Sequence, residues 1–152
     1  LKHINKNIQD REHLARIYKE GLKDIEGISF IPDYPALKYN YPYFPIFVDE
    51  YQYGISRDEL YEALKENNIF GRRYFYPLIS HFPPYRGLNS ANSKNLPVAE
   101  RITQQVICLP IYPELPVDKA NHIISLINRF KSPKKFKAQK EPVIEKEIYR
   151  NK

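Results

Sequence analysis

The first 22 positions carry apolar residues at alternating spacings of three and four. These residues are Leu1, Ile4, Ile8, Ala15, Tyr18 and Leu22. Such spacing places their side chains on one stripe of an α-helix, and Gly21 and Gly27 supply signals for its end. Arg11 occupies the stripe position where another apolar residue would be expected. We expect its stem to pack along the stripe while its charge pairs with a carboxylate or, alternatively, with another domain.

Short apolar and aromatic runs predict β-strands at 28–32, 43–48 and 70–76. Pro45 lies inside the second run. Because proline cannot donate a ladder hydrogen bond, we expect that strand at a sheet edge or at a bulge. The third run alternates between two faces. One face carries Arg72, Tyr74 and Tyr76, and the other carries Arg73 and Phe75.

Helix signals alternate with these strands. Ser56 and Glu59 have the spacing of a capping box, which predicts a helix directly after them. Pro97 suits the first turn of another helix, and Pro116 opens a last one. Between those two helices, the apolar run 106–109 predicts a short buried strand. The sequence therefore predicts an α/β fold in which helices cover a short mixed or antiparallel sheet.

The formal net charge of +6 is distributed unevenly along the chain. Residues 131–152 carry a net charge of +5, which leaves +1 on residues 1–130. A nucleic-acid-binding domain would place its basic residues on the folded part, so this distribution argues against that class. We expect 1–130 to be the folded domain and 131–152 to be a flexible, solvated basic tail.

The remaining composition narrows the class of protein further. The single cysteine, Cys108, rules out an intramolecular disulfide and lies in an apolar run, which is typical of an inert core thiol. No apolar stretch is long enough to span a bilayer, and no charged-then-apolar leader opens the chain. We therefore expect a cytoplasmic protein without membrane contact. Because residue 1 already lies in a helical pattern, we also expect further sequence upstream.

Arginine and aromatic residues are concentrated between positions 72 and 86. Arginine forms bidentate hydrogen bonds with phosphate, and tyrosine stacks on planar rings and donates hydrogen bonds. The segment therefore suits a ligand with phosphates, hydroxyls and a planar ring, although the same residue types line domain and subunit interfaces. The candidate substrate-binding residues are Arg72, Arg73, Tyr74, Tyr76, His81 and Tyr85. No nucleophile elbow, glycine-rich phosphate loop or metal motif is present, so we assign no catalytic, cofactor-binding or metal-binding residue.

Five ordered blocks of the sequence resemble the C-terminal region of the DegT–StrS sugar aminotransferases. They are NYPYFPIF at 40–47, RDELYEAL at 57–64, RRYFYP at 72–77, LPVAE at 96–100 and LPIYP at 109–113. Segment 11–22 is similar to the long helix that joins the large and small domains in that family. The resemblance runs in register to about residue 130. It identifies 1–130 as a C-terminal small domain, with 1–24 as the linking helix.

The resemblance implies a homodimer of fold-type-I pyridoxal-phosphate architecture, with sites at the subunit interface. It implies transfer of an amino group from glutamate to a nucleotide-linked keto-sugar, and the blocks are most similar to members that act on dTDP-linked 6-deoxy sugars. In the family, the Schiff-base lysine lies upstream of the part that this chain matches. We therefore expect the chain alone to bind no pyridoxal phosphate and to be inactive. The alternative is a stand-alone module that binds a nucleotide-sugar or a protein.

Two details of the sequence bear on this expectation. Imine formation needs a desolvated lysine, whereas Lys19, Lys23 and Lys65 lie on charged helix faces. Many family members also carry a histidine shortly after the Tyr-Pro block. This chain has isoleucine and serine at that place, with His81 as a shifted substitute.

Overall fold

Five α-helices and three β-strands follow one another along residues 2–132, the part of the chain that a computed structural model of the protein describes. The helices are α1 (Ile4–Leu22), α2 (Glu50–Tyr53), α3 (Arg57–Glu66), α4 (Pro97–Gln105) and α5 (Val117–Phe130), and the strands are β1 (Ile28–Phe30), β2 (Phe44–Val48) and β3 (Val106–Leu109). Three 3₁₀ turns lie at Ile79–His81, Asn89–Ala91 and Ser93–Asn95. From position 133 onward, the predicted tail lies outside the described residues.

The three strands form one antiparallel sheet in the order β1-β2-β3, which confirms the predicted α/β class and its short sheet. The prediction that Pro45 lies at an edge or a bulge is wrong, because β2 is the central strand. Pro45 pairs with Cys108, whose own amide and carbonyl bond to Arg72 on the opposite side. The nitrogen of Pro45 therefore faces β1, and the β1 ladder has already ended at the Phe30–Ile46 pair. No ladder hydrogen bond is lost at the proline.

The predicted strand at 70–76 is also wrong. Arg72 alone forms a bridge, with Cys108, and the chain then turns through a hydrogen bond from the amide of Tyr76 to the carbonyl of Arg73 at 2.9 Å. The residue types alternate here as they do in a strand. Residues 73–76 nevertheless form no strand, because they have no partner strand in the described part of the chain.

The hydrophobic core lies between the sheet and helices α1, α3 and α5. The predicted stripe of α1 is buried in its second half, at Leu14, Ala15, Tyr18 and Leu22. Its first turns are more open, since Ile4 is 49% exposed. The hydroxyl of Tyr18 donates to the carbonyl of Pro110 at 2.9 Å. The sheet and α5 therefore cover much of the apolar stripe of α1.

Side-chain caps mark the start of α2 and of α3. The predicted capping box at α3 is confirmed: Ser56 accepts from the amide of Glu59, whose carboxylate accepts from the amide of Ser56 at 2.7 Å. The short helix α2 was not predicted, although Asp49 caps its start and Gly54 ends it with a φ of 96°. Within residues 2–132, the helices are too short or too polar to cross a bilayer.

Arg11 fastens the segment before β2 to α1. Its Nε donates to the carbonyl of Asn40 at 2.9 Å, so this bond is to a backbone oxygen rather than to the expected carboxylate. Two turns later on the same helix, Lys19 pairs with Asp33. These contacts hold both ends of the loop 32–43, which leads into Tyr43 and the central strand.

Candidate functional site

The backbone of Arg72 extends the sheet by one residue beyond β3. Its amide donates to the carbonyl of Cys108 at 2.9 Å and its carbonyl accepts from the amide of Cys108 at 2.8 Å. Behind this bridge, the added side chain of Gly71 would collide with Ile107, because a Cβ there would lie 2.9 Å from Ile107 Cδ1. The close approach at Gly71 thus lets the chain lie against β3 and turn Arg72 toward the surface.

Arg72 and Tyr74 line one cleft of about 310 Å³, together with Tyr43, Phe70 and Tyr112. The Nη1 of Arg72 donates to the hydroxyl of Tyr74, and this hydrogen bond raises the pKa of Arg72 above its ordinary value. The rings of Tyr43 and Tyr74 meet edge to face, with centroids 4.9 Å apart. The cleft therefore combines one charged fork with aromatic walls, a pairing that suits an anionic ligand with a planar ring.

Arg73 and Tyr76 are not among the residues that line this cleft, and they pack instead against α3. The Nη1 of Arg73 donates to Oδ1 of Asp58 at 2.8 Å. This bond raises the pKa of Arg73 above its ordinary value. Its guanidinium carbon lies 4.4 Å from the ring centroid of Tyr61 and 5.3 Å from that of Tyr76. With its charge paired and its faces covered, Arg73 is placed to hold the loop against the helix.

His81 and Tyr85 occupy two further places. The Nε2 of His81 lies 2.7 Å from Oε1 of Glu100 on α4, and Tyr85 lies exposed in the loop that follows. The six candidate residues therefore divide into the cleft pair Arg72–Tyr74, a pair against α3, and two separate positions.

Sequence reasoning missed two tyrosines that line the cleft, Tyr43 and Tyr112. Each lies beside a proline, in the runs Tyr41-Pro42-Tyr43 and Ile111-Tyr112-Pro113, and prolines before strands and helices often hold such loops rigid. A signal was therefore present. It could not show that two loops 69 positions apart in the chain meet at Arg72.

A second, larger groove of about 590 Å³ adjoins the cleft. The two share Phe70, Pro110 and Tyr112 as walls, and Lys119 and His122 line the far side of the groove. Two basic side chains thus lie beyond the aromatic wall. Within residues 2–132, no three His, Cys, Asp or Glu side chains come together as metal ligands would.

The thiol of Cys108 is placed as the sequence predicted. It is buried, and burial raises its pKa to about 11. A thiol that stays protonated at neutral pH is a poor nucleophile. Cys108 is therefore a buried, unreactive part of the cleft wall.

Three lysines of the described part, Lys19, Lys23 and Lys65, lie in surroundings that do not suit a Schiff-base lysine for pyridoxal phosphate. That role requires a desolvated ammonium group. Lys19, Lys23 and Lys65 are instead ion-paired on helix surfaces, with Asp33, Glu20 and Glu62 as their respective partners. The hydrogen bond with Glu20 moreover raises the pKa of Lys23, which is opposite to the direction that imine formation needs.

Comparison with known proteins defines the class. Residues 1–128 match the model of the DegT/DnrJ/EryC1/StrS aminotransferase family. The fold is that of solved sugar aminotransferases: it matches DesV of S. venezuelae, solved with a ketimine intermediate, at a TM-score of 0.78 and 26% identity over 88% of this chain and 34% of that one. It matches DesI, solved with its TDP-sugar product, at 0.77 and 28% identity over 85% and 32%.

The chain belongs to the DegT/DnrJ/EryC1/StrS aminotransferase family, whose cofactor is pyridoxal phosphate. It is 48% identical over 115 residues to a dTDP-4-amino-4,6-dideoxy-D-glucose transaminase of Escherichia coli, which is 76% of this chain and 31% of that protein. It is 40% identical over 131 residues to a transaminase of the same name from Shigella dysenteriae, 86% and 35% respectively. The chain thus spans about a third of the length of these curated relatives.

Proposed function

We propose that residues 1–130 form the C-terminal small domain of a pyridoxal-phosphate-dependent aminotransferase, with 1–24 as the linking helix. Its reaction is transfer of an amino group from glutamate to a dTDP-linked 4-keto-6-deoxy sugar. The observation that carries this proposal is the 48% identity to a dTDP-4-amino-4,6-dideoxy-D-glucose transaminase across most of the chain. An amine at C4 of the relative's named sugar corresponds to a ketone at C4 of the acceptor.

The role of this chain's own residues is to bind the nucleotide-sugar. Arg72 supplies a charged fork for a phosphate oxygen, and the exposed rings beside it offer faces on which a base or a sugar can stack. The volume of the cleft, about 310 Å³, lies at the lower end of the range for small-molecule sites. The cleft therefore suits one part of the nucleotide-sugar, and other parts of the enzyme hold the rest.

The chain alone is inactive under this proposal, because the small domain leaves imine formation to a lysine elsewhere in the enzyme. The full enzyme acts as a cytoplasmic homodimer. Exposed apolar side chains support association, because Phe75, Ile79, Phe82 and Leu88 project from the loop after the cleft. Large exposed apolar patches usually mark interaction sites, and we expect these side chains to contribute to one.

Isolation of the native protein tests the proposal. Borohydride reduction followed by intact and peptide mass spectrometry should reveal a polypeptide longer than this chain, with pyridoxal phosphate on one lysine outside 2–132. That protein should aminate a dTDP-linked 4-keto-6-deoxyhexose at the expense of glutamate. A native polypeptide of this length that binds dTDP without a cofactor would support the alternative of a stand-alone binding module and overturn the enzyme assignment.

A further inference from the structure

Two polar side chains are buried in the described part of the chain, apart from tyrosines and Cys108. They are Arg57, which is 1% exposed, and Thr103, which is 2% exposed. Arg57 opens α3 and Thr103 lies in the last turn of α4, 46 positions away in the sequence. Both side chains contact the same dipeptide, Phe75-Tyr76, in the loop that follows Arg72.

Thr103 holds this loop through a single hydrogen bond. Its Oγ1 donates to the carbonyl of Phe75 at 2.9 Å. A buried hydroxyl that loses its partner costs free energy. The hydrogen bond therefore stabilises the loop conformation in which the Phe75 carbonyl lies next to Thr103. The preceding residue is Tyr74, whose ring lies against Tyr43 in the cleft. Because Phe75 follows Tyr74 directly, its hydrogen bond to Thr103 on α4 also restrains the position of Tyr74.

Arg57 holds the next residue of the loop from the other side. Its Nη1 donates to the carbonyl of Val106 at 2.8 Å, its Nε lies 2.8 Å from Oδ1 of Asp58, and its guanidinium carbon lies 5.0 Å from the ring centroid of Tyr76. The same Asp58 oxygen accepts from Arg73. A buried guanidinium is tolerated when its charge is paired and its face is covered, and here the loop provides much of that cover.

We propose that Arg57 and Thr103 are positioning residues that clamp residues 73–76 between α3 and α4 and thereby hold Tyr74 against Tyr43 in the cleft. Neither side chain lines the cleft itself. Their effect on a ligand is therefore indirect and passes through the placement of Tyr74. The link to nucleotide binding rests on the proposed function, whereas the clamp rests on the contacts alone.

Substitutions in the full chain test the clamp. Thr103→Val keeps the shape of the side chain and removes the hydroxyl, Thr103→Ser keeps the hydroxyl, and Arg57→Lys keeps the charge and removes the planar fork. The matched control is Tyr53→Phe, which removes a buried hydroxyl bond to the carbonyl of Ile127 far from the loop. The readouts are the nuclear Overhauser contact between the rings of Tyr43 and Tyr74 and the affinity for dTDP.

The wild type and Thr103→Ser should show the ring contact, and Thr103→Val and Arg57→Lys should lose it. The affinity for dTDP should fall about tenfold in the latter two, a change typical of coupled neighbours. If Arg57→Lys does not fold, the ring contact in Thr103→Val tests the clamp by itself. Retention of the ring contact in Thr103→Val, or its loss in Tyr53→Phe, would overturn the clamp. Loss of the ring contact in a chain whose wild type ignores dTDP would support the clamp and count against the proposed function.

Discussion

Arg72 and Cys108 are joined through their backbones alone: each donates its amide to the carbonyl of the other, at 2.9 and 2.8 Å. The two side chains then lie in different environments. The thiol is buried, whereas the guanidinium is exposed and bonds to Tyr74. Because the bridge uses only backbone atoms, either side chain can be changed without removing it.

Replacement of Arg72 by glutamine should weaken the binding of dTDP without unfolding the chain. The bridge to Cys108 needs only backbone atoms, so the sheet is retained, while the charged fork for phosphate is lost. We expect an affinity about tenfold lower by calorimetry, with an unchanged melting temperature. Arg86→Gln makes the same change of charge in the exposed loop outside the cleft and serves as the control. Equal losses in both variants would indicate a nonspecific charge effect.

The stability of the domain should fall at alkaline pH in a way that depends on Cys108. Its ordinary pKa of 9.0 is raised to about 11 in the fold. Between these values the unfolded chain releases a proton that the folded chain keeps, so the free energy of unfolding decreases as pH rises. The decrease is at most about 3 kcal/mol, because one pKa unit corresponds to about 1.4 kcal/mol. Below this window both states are protonated, and the contribution does not change.

Urea unfolding of the wild type and of Cys108→Ala on either side of that window measures this contribution. Burial also raises the pKa of Tyr18 and of Tyr53, but both proteins contain these tyrosines and their contributions cancel in the comparison. The wild type should lose more stability than the variant as pH rises. Parallel losses would show that the thiol is not held in its neutral form.

The elements that the sequence predicted well are those set by local chemistry. The capping box at Ser56 and the proline at the start of α4 act within one helical turn, and both were placed correctly. The run 70–76 failed because an alternating pattern specifies a strand only when a partner strand is available. Within this run only Arg72 pairs, with Cys108 of β3, and no local feature of the sequence reveals where that pairing stops.

The candidate site was predictable in part for a similar reason. Arg72 and Tyr74 stand out because they lie close together in a cluster of arginines and tyrosines. Arg57 and Thr103 gave no such signal, since an arginine at the start of a helix and a threonine near the end of another are ordinarily solvated. Their burial results from packing of α3 against β3, of α4 against β2, and of both helices against the loop, which is a tertiary relationship.

Loss of the N-cap at α3 should destabilise the domain measurably. Ser56→Ala removes the acceptor for the amide of Glu59, and such substitutions cost about 1 kcal/mol. Urea unfolding followed by circular dichroism measures the difference. Ser125→Ala, on the exposed face of α5, is the control and should leave the free energy of unfolding nearly unchanged. A loss no greater than that of the control would mean that the cap contributes nothing to stability.

Self-association through the loop after the cleft is the last expected property. Two surfaces are candidates for the interface, the apolar stripe of α1 and the loop after the cleft. The second half of the α1 stripe is already buried, whereas Ile79 is 62% and Leu88 is 54% exposed. Burying a large apolar side chain contributes roughly 1.5–3 kcal/mol, so the drive for association is greater at the loop than at α1.

Sedimentation across a wide range of concentration distinguishes the two surfaces. A two-fold dimer uses the same patch on both copies, so one charge introduced at the interface appears twice and repels itself. Leu88→Glu should therefore dissociate the dimer, and Ile4→Glu should leave it intact because the first turn of α1 lies outside the expected interface. The opposite pattern would place the interface on α1. A wild type that sediments as a monomer at every concentration would show that the exposed loop is not a self-association surface, and the homodimer would then depend on parts of the enzyme outside this chain.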